Sequence, residues 1–139
     1  PIPPVTHAAV AALYPLFRGD LRSLLAALDD GARLLVGVTK HGASIGLDEL
    51  RPALRQRYDA TLRARLDPRR HAQLEAWARS GAARQQTQQS LRSIWKVTQG
   101  AVSNALADFE RQGYVLSLPR EGKSPRRYVL TGICRLIFE

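Results

Sequence analysis

QQTQQSLRSIWKVTQGAVSNALADFERQGYVLSLPREGKSPRRY, residues 85–128, decides how the rest of the chain is read. Val102, Ala105, Leu106 and Phe109 recur at spacings of three and four, which places them on one buried face of a helix. The opposite face carries Gln99, Ser103, Asn104, Asp108 and Arg111. Upstream, Leu91, Ile94 and Trp95 form the apolar side of a shorter helix over about 87–95. Lys96-Val97-Thr98 connects the two, with Val97 inward and Thr98 as the N-cap of the second helix. Gly113 stops that helix, and Tyr114-Val115-Leu116 starts a strand. The next turn, PREGKSPRR, concentrates Arg120, Lys123, Arg126 and Arg127 before the apolar return run Tyr128-Val129-Leu130.

Two helices joined by a three-residue turn, then a short hairpin with a cationic tip, predict a winged helix-turn-helix over 67–139. The recognition helix falls at about 98–112 and the wing at about 117–128. The fold class expected is mainly α with a small β-wing, and a helical segment over 1–66 precedes the winged helix. Within the recognition helix, the amides of Gln99 and Asn104 can pair bidentately with adenine in a major groove. The hydroxyls of Ser103 and Thr98 suit phosphates or bases. Gln85, Gln86, Thr87, Gln88 and Gln89, at the start of the preceding helix, would face the phosphate backbone; the plainer reading of that run is a polar linker and a cap. Arg120, Lys123, Arg126 and Arg127 would straddle the backbone or enter a minor groove. Asp108 and Glu110 fit a DNA-facing helix poorly, and a surface used for protein docking stays open beside the DNA reading.

Composition points the same way. The 139 residues carry 21 Lys and Arg against 12 Asp and Glu, a formal charge of +9. Such an excess favours a polyanionic partner, most simply double-stranded DNA, although an Arg-rich coding bias would also produce a basic surface. Cys134 is the single cysteine, so no internal disulfide or cysteine-cluster metal site can form. It stands in an apolar run with Ile133, Leu136, Ile137 and Phe138, as a buried thiol would. His7, His41 and His71 show no metal-ligand spacing. No apolar run reaches the roughly 18 residues of a membrane span, and no signal peptide opens the chain. A cytoplasmic location, with nucleoid association in a bacterium, would fit.

Ahead of the winged helix, Thr6 is a cap for a helix over 7–17 that Pro15 should kink or shorten, with Val10, Leu13, Tyr14 and Phe17 apolar. Asp20 caps a second helix over 21–37 whose expected buried residues are Leu21, Leu24, Leu25, Leu28, Leu35 and Val36. Asp29-Asp30-Gly31 is a weak point within it, and 41–46 reads as a loop. A third helix runs from Leu47 or Asp48 towards Leu66, with Pro52 in its first turn. Its stripe is Leu50, Leu54, Tyr58, Thr61 and Leu62. Arg51, Arg55, Arg57, Arg63 and Arg65 crowd the other side, as a phosphate-contacting face or, more commonly, a solvated one. Asp67 and Pro68 then cap and open the first helix of the winged domain.

The stretch GDLRSLLAALDDGARLL, residues 19–35, resembles the lid of AAA+ ATPases related to origin-recognition and replication-initiation ATPases. The stretch VTQGAVSNALADFERQGYV, residues 97–115, is similar both to the C-terminal domains of those ATPases and to MarR-type regulators. The first resemblance implies that Arg22 is a sensor-2 arginine contacting the γ-phosphate of ATP, presented by Gly19 and Asp20. The plainer reading of Arg22 is an exposed arginine after an aspartate cap. ATP and Mg²⁺ would then belong to a parent protein with an upstream ATPase core, a reading that Pro1 as first residue invites. This chain itself has no phosphate loop. Gly122-Lys123-Ser124 is followed by Pro125, and Ser117 stands where the first loop glycine belongs. The expectation is therefore a non-enzymatic, DNA-binding piece of such an ATPase. A stand-alone dimeric MarR-like regulator and a protein-docking adaptor remain the alternatives.

Overall fold

The computed structural model describes residues 2–40 and 42–139, so Pro1 and the start of the expected loop at His41 lie outside the described residues. Among the described residues, seven α-helices and a small antiparallel sheet make the fold mainly α with a β-wing.

The first helix, α1 (His7–Leu13), is capped by Thr6, whose hydroxyl accepts from Ala9 N at 3.2 Å. Pro15 converts the continuation into a 3₁₀ turn, Tyr14–Phe17. Leu13 and Phe17 are buried there, whereas Tyr14 is exposed. Arg18 and Gly19 then take left-handed φ of 50° and 83°, reversing the chain before Asp20 caps α2 (Leu21–Leu34).

α2 departs from its expected packing in three ways. It ends three residues early, so Val36 falls in a turn and is exposed. Leu21 and Leu25 are also exposed, because the face that meets α3 is centred on Leu24, Ala27 and Gly31. Asp29-Asp30-Gly31 does not loosen the helix. Gly31 is buried where a Cβ would overlap Leu50 Cδ1, and Asp30 accepts a hydrogen bond from Tyr58 Oη at 2.9 Å.

α3 (Leu47–Arg65) is the long strut of the molecule. Its leucines recur every four residues: Leu50 and Leu54 enter a core with α1 and α2, and Leu62 and Leu66 enter the core of the winged helix. Half-buried Tyr58 packs against both. Pro52 sits inside the helix rather than in its first turn, so it removes a donor that would otherwise bond back to Asp48. Arg51 and Arg55 form neither a phosphate face nor a merely solvated one. Arg51 donates to Glu139 O at 3.1 Å, and Arg55 donates to Leu136 O at 3.4 Å and also to Glu139 O.

The winged helix begins with α4 (Pro68–Gly81), capped by Asp67, which accepts from Arg70 N at 2.8 Å. β1 (Gln86–Thr87), α5 (Gln88–Trp95), α6 (Gln99–Gln112), β2 (Val115–Ser117) and β3 (Arg127–Leu130) follow. β3 lies between the other two strands, in the order β1-β3-β2, both pairs antiparallel. Strand β1 is a correction, since Gln86 and Thr87 were expected in a linker or at a helix start. Thr87 serves twice, pairing with Arg127 and capping α5 in a reciprocal box with Ser90. The core is aromatic at its centre: Trp95 lies 6.2 Å from Trp77 and 6.1 Å from Phe109, ring centroid to ring centroid.

α7 (Gly132–Phe138) closes the fold and joins the cores: Leu136 belongs to the first, Cys134 and Ile137 to the second. Thr131 occupies its N-cap position but does not cap it with its side chain. Its hydroxyl instead reaches Gly113 O at 2.9 Å and Tyr114 O at 3.2 Å, tying α7 to the end of α6. Gly132 meets the face of Phe17, where an added Cβ would stand 2.6 Å from Cγ. Gly132→Ala is therefore expected to destabilise the protein by about 1–3 kcal/mol through overpacking. A urea melt checks this, and a stability equal to or above wild type would show that Phe17 moves aside freely.

Candidate nucleic-acid interface

The candidate surface is assembled from the start of α6 and the turn between β2 and β3. Thr98 fixes the start of α6, its hydroxyl accepting from Ala101 N at 3.2 Å. The expected apolar stripe of Val102, Ala105, Leu106 and Phe109 is buried throughout. That burial turns Gln99, Gly100, Ser103 and Asn104 outward, and all four are exposed. Gly100 has open space where a Cβ would lie, so the helix offers no steric bar there to a close-lying ligand.

The wing is held by its own backbone. Leu118 N donates to Arg127 O at 2.8 Å, and Ser124 N donates to Glu121 O at 3.1 Å. Gly122 takes a left-handed φ of 58°, and Arg120 Nε donates to Ser124 O at 2.8 Å across the tip. Residues 119–127 are all exposed, so Arg120, Lys123, Arg126 and Arg127 project from a pinned turn.

Helix and wing meet around one hollow of about 330 Å³, lined by Thr87, Gln88, Gln89, Gln99, Arg120, Pro125 and Arg126. Four of the residues singled out from the sequence, Thr87, Gln99, Arg120 and Arg126, thus share one concavity. Thr98, Ser103 and Asn104 continue the exposed edge of α6 away from it. Lys123 stands at the wing tip. Arg127 turns elsewhere, reaching Gln85 Oε1 at 3.5 Å and lining a second hollow with Leu118, Pro119 and Glu121.

Gln88, expected only as one of five backbone-facing residues in its run, is set apart from the others by its contacts. Its Oε1 accepts from Gln99 Nε2 and, at 3.5 Å, from Ser103 Oγ, while its own Nε2 donates to Tyr128 Oη at 3.4 Å. Nothing in the run QQTQQ distinguishes one glutamine from the next; only the β1–β3 pairing and the α5–α6 packing select Gln88.

Asp108, the acid that fits a DNA-facing α6 poorly, has partners of its own. Arg70 of α4 clasps one of its oxygens through Nε and Nη2 at 3.2 and 3.0 Å, and Arg111 bonds the other. Hydrogen bonds from Arg70 and the charges of Arg111 and Arg70 hold its carboxyl below the usual carboxylate range. A depressed folded-state pKa contributes stability above the unfolded pKa, near 4, and loses it as pH falls through the lower folded value. The stability difference between wild type and Asp108→Asn is therefore expected to be constant from pH 7 to about 5 and to shrink below about 4. Chemical denaturation across that range measures it, and a difference that grew on acidification would refute the clasp.

Arg22 is exposed in the first turn of α2, behind the left-handed Arg18-Gly19 turn and the Asp20 cap. Cys134 is fully buried, and burial pushes its thiol up to about 12, which leaves it inert as a nucleophile. Among the described residues no group of three or more His, Cys, Asp or Glu is placed to hold a metal ion. No helix there is long and apolar enough to cross a membrane.

No protein family, curated protein or solved structure matches this chain. The site therefore has to be read from its own chemistry: a narrow polar helix edge, a cationic turn pinned beside it, and a hollow between them.

Proposed function

We propose that the chain binds duplex DNA, with the exposed edge of α6 in a major groove and the wing along the neighbouring backbone. The observation that carries this reading is the single hollow shared by Gln99 of α6 and Arg120 and Arg126 of the wing. A helix edge of small polar residues fits between the walls of a major groove, and amides and hydroxyls are the groups that pair with base edges there. The cations beside it supply the sequence-independent attraction to phosphate. The capture of Asp108 by two arginines removes the main electrostatic objection to this orientation.

An anisotropy titration of a labelled duplex about two helical turns long, at rising salt, tests the proposal. If the wing cations Arg120, Lys123 and Arg126 contact phosphates, log K falls with log salt at a slope of roughly −2.5 to −3, a loss of about 40-fold between 50 and 200 mM. A flat response would remove the DNA reading and favour protein docking at the same surface.

For the helices before α4, we propose the lid of an AAA+ ATPase, a reading supported by the exposed position of Arg22 in the first turn of α2. There it could direct a planar fork at a phosphate. A reading frame with no phosphate loop upstream of these residues would overturn it. Sedimentation of the duplex complex separates this reading from the dimeric regulator, which requires two copies on a two-fold site.

A further inference from the structure

The polar edge of α6 is not made of independent side chains. Gln99 and Ser103, one helical turn apart, both bond to the same carbonyl of Gln88 on α5. The other end of the Gln88 amide meets Tyr128 Oη, and Tyr128 is a buried residue of β3. A glutamine on a solvent-exposed helix face ordinarily samples many rotamers, and immobilising it on a base costs binding free energy. Here Gln99 and Ser103 are anchored through Gln88 to the sheet before any ligand arrives. The connection survives exchange of amide nitrogen and oxygen in both glutamines together, because the hydroxyls of Tyr128 and Ser103 each donate or accept.

Resting on the DNA reading above, we infer that Gln88 is a positioning residue that sets base preference. It holds the Gln99 amide and the Ser103 hydroxyl in the one arrangement that meets a base edge, through a chain running Tyr128–Gln88–Gln99/Ser103. Gln88 lines the hollow beside Arg120 and Arg126, so the same residue joins the preference-setting edge of α6 to the wing. Asn104, further along the helix, lies outside the chain, and its contribution to preference is independent of Gln88.

The experiment is a binding selection from a randomised duplex library. It is followed by titration of the selected and a scrambled duplex with wild type, Gln88→Ala, Gln99→Ala, Tyr128→Phe and the Gln88→Ala/Gln99→Ala double variant. Gln88→Ala is expected to lower the selected-to-scrambled affinity ratio by roughly 3- to 30-fold, the range set by freezing one released glutamine. The loss should fall at the same base step that Gln99→Ala affects. Affinity for the scrambled duplex and the salt slope should stay at wild-type values. Tyr128→Phe should lower the ratio by a smaller factor, and in the Gln99→Ala background Gln88→Ala should add much less than it does alone.

A Gln88→Ala ratio equal to wild type overturns this inference and leaves the DNA reading standing. So does an equal loss on both duplexes, which would make Gln88 a simple phosphate contact. A wild-type protein that binds no duplex overturns both. Thermal midpoints of all variants guard against global unfolding; if Gln88→Ala melts early, the Tyr128→Phe ratio and its base step decide the matter.

Discussion

Reversing Arg120 and Arg126 together (R120E/R126E) is expected to weaken duplex binding by about 10²–10⁴-fold at moderate salt and to reduce the salt slope by about 2. The size follows from the interaction type: hydrogen bonds to a charged group contribute about 1.5–3 kcal/mol each, and reversal adds repulsion to the loss of two such contacts. The loss should be nearly the same for every duplex sequence, because phosphate carries no base information. Both side chains are exposed, so the thermal midpoint should hardly move. Arg120 also donates to Ser124 O within the wing, and R126E alone, which leaves that bond in place, separates loss of charge from disturbance of that turn. Titration of one selected and one scrambled duplex makes the measurement. Undiminished affinity would mean that the wing does not face DNA, whatever α6 contacts.

The parts of the fold that were legible in the sequence are those where one element meets one continuous apolar partner. α6 shows this best. It packs a single stripe, Val102, Ala105, Leu106 and Phe109, against the core, and its limits are set by local chemistry at Thr98 and Gly113. The cationic turn was equally readable, because consecutive exposed charges between two short apolar runs admit few other arrangements. α2 was harder. Leucine occupies positions all round that helix, and the sequence cannot say which of them α3 covers. The close approach at Gly31 selects Leu24 and Ala27 and leaves Leu21 and Leu25 to solvent. β1 was invisible for a different reason: two polar residues have no alternation to detect, and they form a strand because β3 offers a free edge.

The site was legible in its residue types and not in its wiring. Thr87, Gln99, Arg120 and Arg126 converge on one hollow, yet their separation in sequence carries no distance. The polar links between elements were beyond reach altogether: Arg70 to Asp108 from 38 residues away, Thr131 to the end of α6, and Arg51 and Arg55 to the end of α7. Each joins residues whose own neighbourhoods point elsewhere. Thr131 looks like a cap, and the two arginines look like surface charge. Long-range hydrogen bonds fix how α6 sits against the rest of the molecule, and the periodicity of any one element is silent about them.

The largest stability effect is expected at Phe109, where α6 is fastened to the body. Its ring is fully buried, edge-on to Trp95, with the Arg70 guanidinium 5.9 Å from its centroid. Phe109→Ala removes most of a large side chain from a site whose neighbours are themselves rigid: Trp95 meets Trp77 at a 59° tilt on its other side, and Trp95 Nε1 is anchored to Gln73 O at 2.8 Å. Such a cavity cannot collapse, so the cost should sit within about 3–5 kcal/mol, a large share of the total stability of a domain this size. Arg70 also loses the ring beneath it while still holding Asp108, so the exit turn of α6 should loosen before its start. Urea denaturation followed by tryptophan fluorescence measures the first effect. Hydrogen exchange at the amides of α6, faster near Gln112 than near Val102, measures the second. Phe109→Leu, which keeps much of the volume, should lose much less stability. A Phe109→Ala protein within about 1 kcal/mol of wild type would show that α6 is not seated on this aromatic cluster, and the orientation of its polar edge would lose its foundation.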